Sequence, residues 1–135
     1  MKQAKREGVA TCLRLVTAGA DSVINGDDHS SIATWNLESP NKRMFNTQII
    51  VNYSDGNAVT SLTVAPTSTN ACDGTYTQVL TLPKSCDSAR RTHYMDWKDK
   101  TGTSELITLS TEGKTAILMP FLTGCTIVVT AVVYE

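Results

Sequence analysis

Several kinds of protein are excluded by what this chain lacks. No apolar run approaches the ~20 residues that a membrane-spanning helix needs. The four cysteines stand far apart, at 12, 72, 86 and 125, and none forms the Cys-x-x-Cys pair of a zinc ribbon or thioredoxin-like site. Phosphate-binding glycine loops are missing. So are the Gly-x-Ser-x-Gly elbow of serine hydrolases and the acidic spacing of an EF-hand. No excess of either charge sign is present. Twelve basic residues face 13 acidic ones, for a net charge of -1, which gives no reason to expect nucleic acid or an anionic membrane as a partner. No repeat, linker or low-complexity tract divides the chain, and its 135 residues form a single α+β domain, 1–135.

What is present is a chain of ordinary globular composition, 41% hydrophobic and 19% charged. A chain of this size buries roughly 68% of its unfolded surface, so it can form a core without a metal or cofactor, and no cofactor is expected. The stretch Phe45–Pro66 organises the rest. Two β-branched runs flank Asp55-Gly56, a strong hairpin signal. In strand 46–53, Ile49, Val51 and Tyr53 face one way, with Gln48, Ile50 and Asn52 facing the other. In strand 58–65, Leu62 and Val64 oppose Ser61 and Thr63. This period-2 pattern fits an antiparallel sheet with one covered face and one wetter face.

Residues 9–24 carry a helical stripe of Val9, Cys12, Leu13, Val16, Ala20, Val23 and Ile24, with Asn25-Gly26 as the terminating cap. Gly19 weakens that helix by about 1 kcal/mol relative to alanine. Lys2–Arg6 followed by an apolar segment ending Ala18-Gly19-Ala20 resembles a signal peptide. Arg14 and Thr17 interrupt it, so the segment is read as mature protein, with Met1 replacing a removed leader. A second helix is expected over 85–98, capped by Ser85 or Asp87. Its inner stripe is Cys86, Ala89, His93, Tyr94 and Trp97, with Arg90 and Arg91 outside.

Further strands are expected at 75–82, 104–110, 115–120 and 125–134. Polar connections lie at 67–74 and 100–103, and a glycine turn at 111–114. The last strand is Val- and Ile-rich on both faces, as central strands are. The order is αβββαβββ, with both helices on one face of an antiparallel sheet.

An even number of well-separated cysteines in a small domain points to two disulfides and an oxidising compartment, periplasmic or extracellular. The plain alternative is four buried thiols. A 72–86 bridge conflicts with the strand between those residues, because eight extended residues span about 26 Å and a disulfide needs Cα atoms within about 7 Å. Cys72 then pairs with Cys12 or Cys125. Because Cys12 and Cys86 both sit on helices expected to cover the same sheet, the favoured pairing is Cys12–Cys86 with Cys72–Cys125.

Chemistry is sparsely marked. His29 stands beside Asp27, Asp28 and Ser30, but catalytic triads are assembled by geometry and not by adjacency. The plain reading there is a solvated polar loop. His93 reads as a packed core histidine. Asp55, Asp73, Glu105 and Glu112 are turn residues that nothing brings together as a carboxylate pair. The irregular segment 27–43 is long for a connector, and long connectors often carry function. Trp35 within it either plugs the core or projects for binding.

These features favour a small exported, non-enzymatic protein that binds or inhibits another protein. A periplasmic inhibitor or a toxin-immunity protein would have this shape. Trp35, His29, Arg90 and Arg91 are the candidate contact residues. The alternatives are a subunit of a surface or secretion assembly, joined through a strand edge at 58–65 or 75–82, and an enzyme of unrecognised type using His29 or His93. No metal ligands are assigned.

Overall fold

The computed structural model describes residues 2–6, 8–67, 71–100 and 105–135. The helices are α1 (Lys2–Arg6), α2 (Leu13–Ile24) and α3 (Cys86–His93). The strands are β1 (His29–Trp35), β2 (Phe45–Tyr53), β3 (Gly56–Pro66), β4 (Cys72–Leu82), β5 (Lys98–Asp99), β6 (Ile107–Thr111), β7 (Lys114–Phe121) and β8 (Gly124–Tyr134). All eight strands form one antiparallel sheet in the order β1-β2-β3-β4-β8-β7-β6-β5. The fold is therefore mostly sheet, with its helices gathered on one side.

The expected αβββαβββ order is thus corrected by two additional strands and one short helix. Segment 27–43 is not an irregular loop, since its first half pairs with β2 from His29↔Val51 to Trp35↔Phe45. The remainder is pinned rather than free. The Asn36 side chain accepts from the backbone of Glu38 and Ser39, at 3.1 and 2.8 Å. The Asn41 side chain accepts from Ala10 N at 2.6 Å and Thr11 N at 3.1 Å. Strand β4 begins at Cys72, inside the connection expected at 67–74; residues 68–70 of that connection lie outside the described residues. Most of the turn expected at 100–103 lies outside them as well.

Alternation along each strand builds the covered face. Phe45, Ile49 and Val51 of β2, Leu62 and Val64 of β3, and Tyr76 of β4 are buried beneath α2. Leu109, Leu118, Cys125 and Ile127 are buried with Cys86 and Ala89 of α3. One sheet thus carries two half-cores side by side. Helix α2 begins four residues later than its apolar pattern, and it buries Leu15, Val16, Gly19, Ala20 and Val23. This is a stripe turned slightly from the expected one, with Leu13 and Ile24 at its margin. Gly19 has a packing reason. A Cβ there would meet the Leu62 methyls at 3.0 and 3.1 Å, so its absence lets the helix lie close to the sheet.

Each hairpin follows local chemistry. The Phe45–Pro66 hairpin forms, but Tyr53 pairs with Gly56, so Ser54 and Asp55 make the turn, one residue earlier than Asp55-Gly56. Gly56 is required on the strand itself, because a Cβ would stand 2.8 Å from the Thr81 carbonyl oxygen. The Glu112-Gly113 turn has the positive φ expected of its glycine, at 68°. Helix α3 is capped by the Ser85 hydroxyl, which accepts from Ser88 N at 3.1 Å, and it stops at His93. Tyr94 and Trp97 reach the core from the following turn instead. They pack edge to face at 5.1 Å, and burial raises the Tyr94 pKa above its ordinary value. His93 is exposed, not packed as expected.

All four cysteines are bonded, but the favoured pairing is corrected. The bridges are Cys12–Cys72 and Cys86–Cys125, with Cα separations of 5.7 and 4.9 Å. The sheet register gives the reason. Leu82 pairs with Cys125, and Cys72 lies at the opposite end of the same strand. Ten extended residues separate them, about 33 Å, so Cys72 cannot reach Cys125. Each bridge ties the start of one helix to the strand beneath it, one in each half-core.

Candidate functional site

Among the described residues, no helix lies on the second face of the sheet. Its members are the residues that alternate with the core. They include Ser30, Ile32 and Thr34 of β1 and Asn46, Gln48, Ile50 and Asn52 of β2, and the pattern continues across to Thr108 and Ser110 of β6. Strand register makes ordered rows of them. Ile50, Val59, Val79, Val128 and Ile117 stand side by side on β2, β3, β4, β8 and β7. At the usual strand spacing that apolar row is about 19 Å long. From β2 to β6 the next row is polar, with Gln48, Ser61, Thr77, Thr130, Thr115 and Ser110, and its member on β1 is Ile32.

The polar side chains of this face hold one another in place. Asn46 Nδ2 donates to Thr63 Oγ1 at 2.8 Å and to Ser61 Oγ at 3.1 Å. Gln48 Nε2 donates to Ser61 Oγ at 3.0 Å and to Asn46 Oδ1 at 3.3 Å. Among the described residues, the only charged side chains on the alternating positions of this face are Asp73, opposite Tyr134, and Lys98, on the outermost strand. Two other charged strand residues, Asp99 of β5 and Lys114 of β7, stand opposite Leu109 and Ala131 on the alternation of the covered face.

The apolar row turns a corner at β7. Ile117, Met119 and Phe121 follow one another on the open face and are 41, 43 and 62% exposed. They lead to Leu122 in the β7–β8 turn, which is 89% exposed. Leu122 has φ 53°, a left-handed conformation that a branched side chain rarely adopts. These residues are not among the contact candidates read from the sequence. The signal was available, because Ile117-Leu-Met-Pro-Phe-Leu122 is apolar at every position and so cannot hide all its side chains under one face.

The candidate contact residues named from the sequence are not brought together. His29 and Trp35 lie at the two ends of β1. Trp35 faces the covered side and packs, half-buried, against the core at the sheet margin. His29 is exposed, and its Nδ1 is 3.1 Å from the Asp27 carbonyl oxygen. It lines a groove of about 480 Å³ with Lys2, Gln3, Asp21 and Ser31. Arg90 and Arg91 belong to α3, over the other half of the sheet. Arg90 pairs with Asp99 of β5 at 2.7 Å. His93 Nε2 lies 3.3 Å from Lys84 Nζ. The two histidines therefore sit on different halves of the molecule. Among the described residues, no group of three or more His, Cys, Asp or Glu side chains is placed to hold a metal ion.

The open face is a nearly uncharged surface on which an apolar row is bordered by hydroxyl and amide groups. Such a surface suits another protein, because apolar contact supplies affinity and bordering hydrogen-bonding groups supply register. No protein-family model matches the chain, and no curated protein or solved structure matches it either. No helix of the described residues is long and apolar enough to cross a membrane.

Proposed function

We propose that this chain is a small exported, non-enzymatic binding protein that recognises another protein through the open face of its sheet. The observation that carries this reading is the in-register row Ile50–Val59–Val79–Val128–Ile117 on a face almost without charge. Scattered exposed apolar residues need no explanation, but a contiguous patch rimmed by polar groups is a mark of interaction sites. The Leu122 conformation supports the same reading. A left-handed leucine costs about 1–2 kcal/mol, and here its side chain projects into solvent beside the patch. An inhibitor or an immunity protein would use its surface in this way.

Export is supported by the Cys12–Cys72 and Cys86–Cys125 bonds, since disulfides persist in oxidising compartments. Protein isolated without reductant then titrates with no reactive thiol, and four reactive thiols would remove the argument for export.

Recognition is tested with the double variant Val79→Lys, Ile117→Lys. Both positions are substantially exposed, so the variant keeps the melting temperature of the parent. Cross-linking in the native host followed by purification yields a discrete partner from the parent and not from the variant. Identical partners for both proteins would overturn the reading.

A further inference from the structure

We infer that two copies of this chain join edge to edge through β1, in an antiparallel pairing about a two-fold axis. The two margins of the sheet differ in a way that points there. One margin is β5, only two residues long, with Lys98 and Asp99 as its members and Arg90 bound to Asp99. Short length and charge are the usual guards of a sheet edge. The other margin is β1, seven residues long. It contains no Lys, Arg, Asp, Glu or Pro, and its register with β2 runs without a bulge. The strand edges suggested by the sequence, at 58–65 and 75–82, are interior, because β3 and β4 are paired on both sides.

The free backbone groups of β1 can be assigned. Asn52 N donates to Asp28 O at 3.0 Å, so Asp28 and Asn52 form a hydrogen-bonded pair. In an antiparallel ladder such pairs alternate. Ser30, Ile32 and Thr34 therefore bond to β2, while His29, Ser31, Ala33 and Trp35 direct their N–H and C=O groups outward. No hydrogen bond within the described residues satisfies these outward groups.

A second copy satisfies all of them in a single register. Turned about a two-fold axis through Ile32, it sets His29 against Trp35 and Ser31 against Ala33. Each outward residue then exchanges hydrogen bonds with another outward residue, about eight bonds in all. Ile32 meets Ile32 of the second copy at the closely spaced, non-hydrogen-bonded position. Its side chain is 66% exposed in the single chain, and this contact covers it. Ser30 lies opposite Thr34, so no like charges meet along the strand. The interface is isologous and closes on itself. With β5 guarded, assembly stops at two copies, and the open faces of both become one surface.

Sedimentation of the oxidised protein over a wide concentration range tests this. The expected species has twice the 14.6 kDa mass of the chain. Ala33→Pro removes an outward N–H without touching the ladder to β2, and it converts the dimer to monomer. Ile32→Cys places two thiols at a position where Cα atoms stand about 4.5 Å apart, within disulfide reach. It oxidises to a covalent dimer, while Val59→Cys, two strands further in, stays monomeric on a non-reducing gel. A monomer at every concentration overturns the inference. So does a dimer that survives Ala33→Pro, or equal cross-linking at positions 32 and 59.

Discussion

The two faces of this sheet are built from the same strands and differ in what a side chain is asked to do. On the covered face, Phe45, Ile49, Leu62, Leu109, Leu118 and Ile127 are fully buried, and each is fixed by the shape of its neighbours. On the open face, Val59, Val79 and Ile117 remain 40–44% exposed, and little is packed against them. Covered residues hold the fold together. Open residues stay where the strand puts them whatever their chemistry, so an apolar row there has no structural duty to explain it. A β-branched residue is at home in a strand, yet threonine would serve equally, and the adjacent row shows that it does. If the open face recognises a partner as proposed, stability and recognition are separated across the thickness of a single sheet.

That separation can be broken by substitution, beginning with the largest effect. Phe45→Ala opens a cavity in the core beneath α2, with an expected loss of about 3–5 kcal/mol, read by denaturant unfolding. Removing one bridge, as Cys12→Ala with Cys72→Ala, is expected to lower stability by about 2–4 kcal/mol, with the α2 half of the molecule loosening first under hydrogen exchange. Thr47→Val works in the opposite direction. The Thr47 hydroxyl is buried without a partner among the described residues, so a shape-matched apolar side chain is expected to raise stability by about 1 kcal/mol. Val79→Thr on the open face should change stability by less than about 0.5 kcal/mol while weakening partner capture. A loss at Val79 as large as that at Phe45 would show that the open face is packed against something in the native state.

Much of the covered face is legible in the sequence. The alternation in Ile49, Val51, Leu62, Val64, Tyr76 and Leu82 is strong, and the Glu112-Gly113 turn and Ser85 cap announce themselves. The central place of β8 between β4 and β7 follows from its apolar residues on both faces. The open face is another matter. Ile50 and Val128 belong to one row only because three strand pairings align them, and no local pattern reports those registers. Strand β1 escapes for a related reason. His-Ser-Ser-Ile-Ala-Thr-Trp is weakly patterned, and its pairing with β2 makes it a strand. The pairing Cys12–Cys86 with Cys72–Cys125 fails because helices over one sheet need not lie over the same end of it. Once Leu82 is known to face Cys125, the correct pairing is forced.

Recognition through the open face is tested most directly by site-specific photo-cross-linking in the native host. One cross-linker replaces Val79, at the centre of the apolar row, and another replaces Asp87, exposed on α3 above the covered face. A discrete adduct from position 79 and none from position 87 is the expected result. Adducts from position 87 alone, or the same adducts from both, would contradict it.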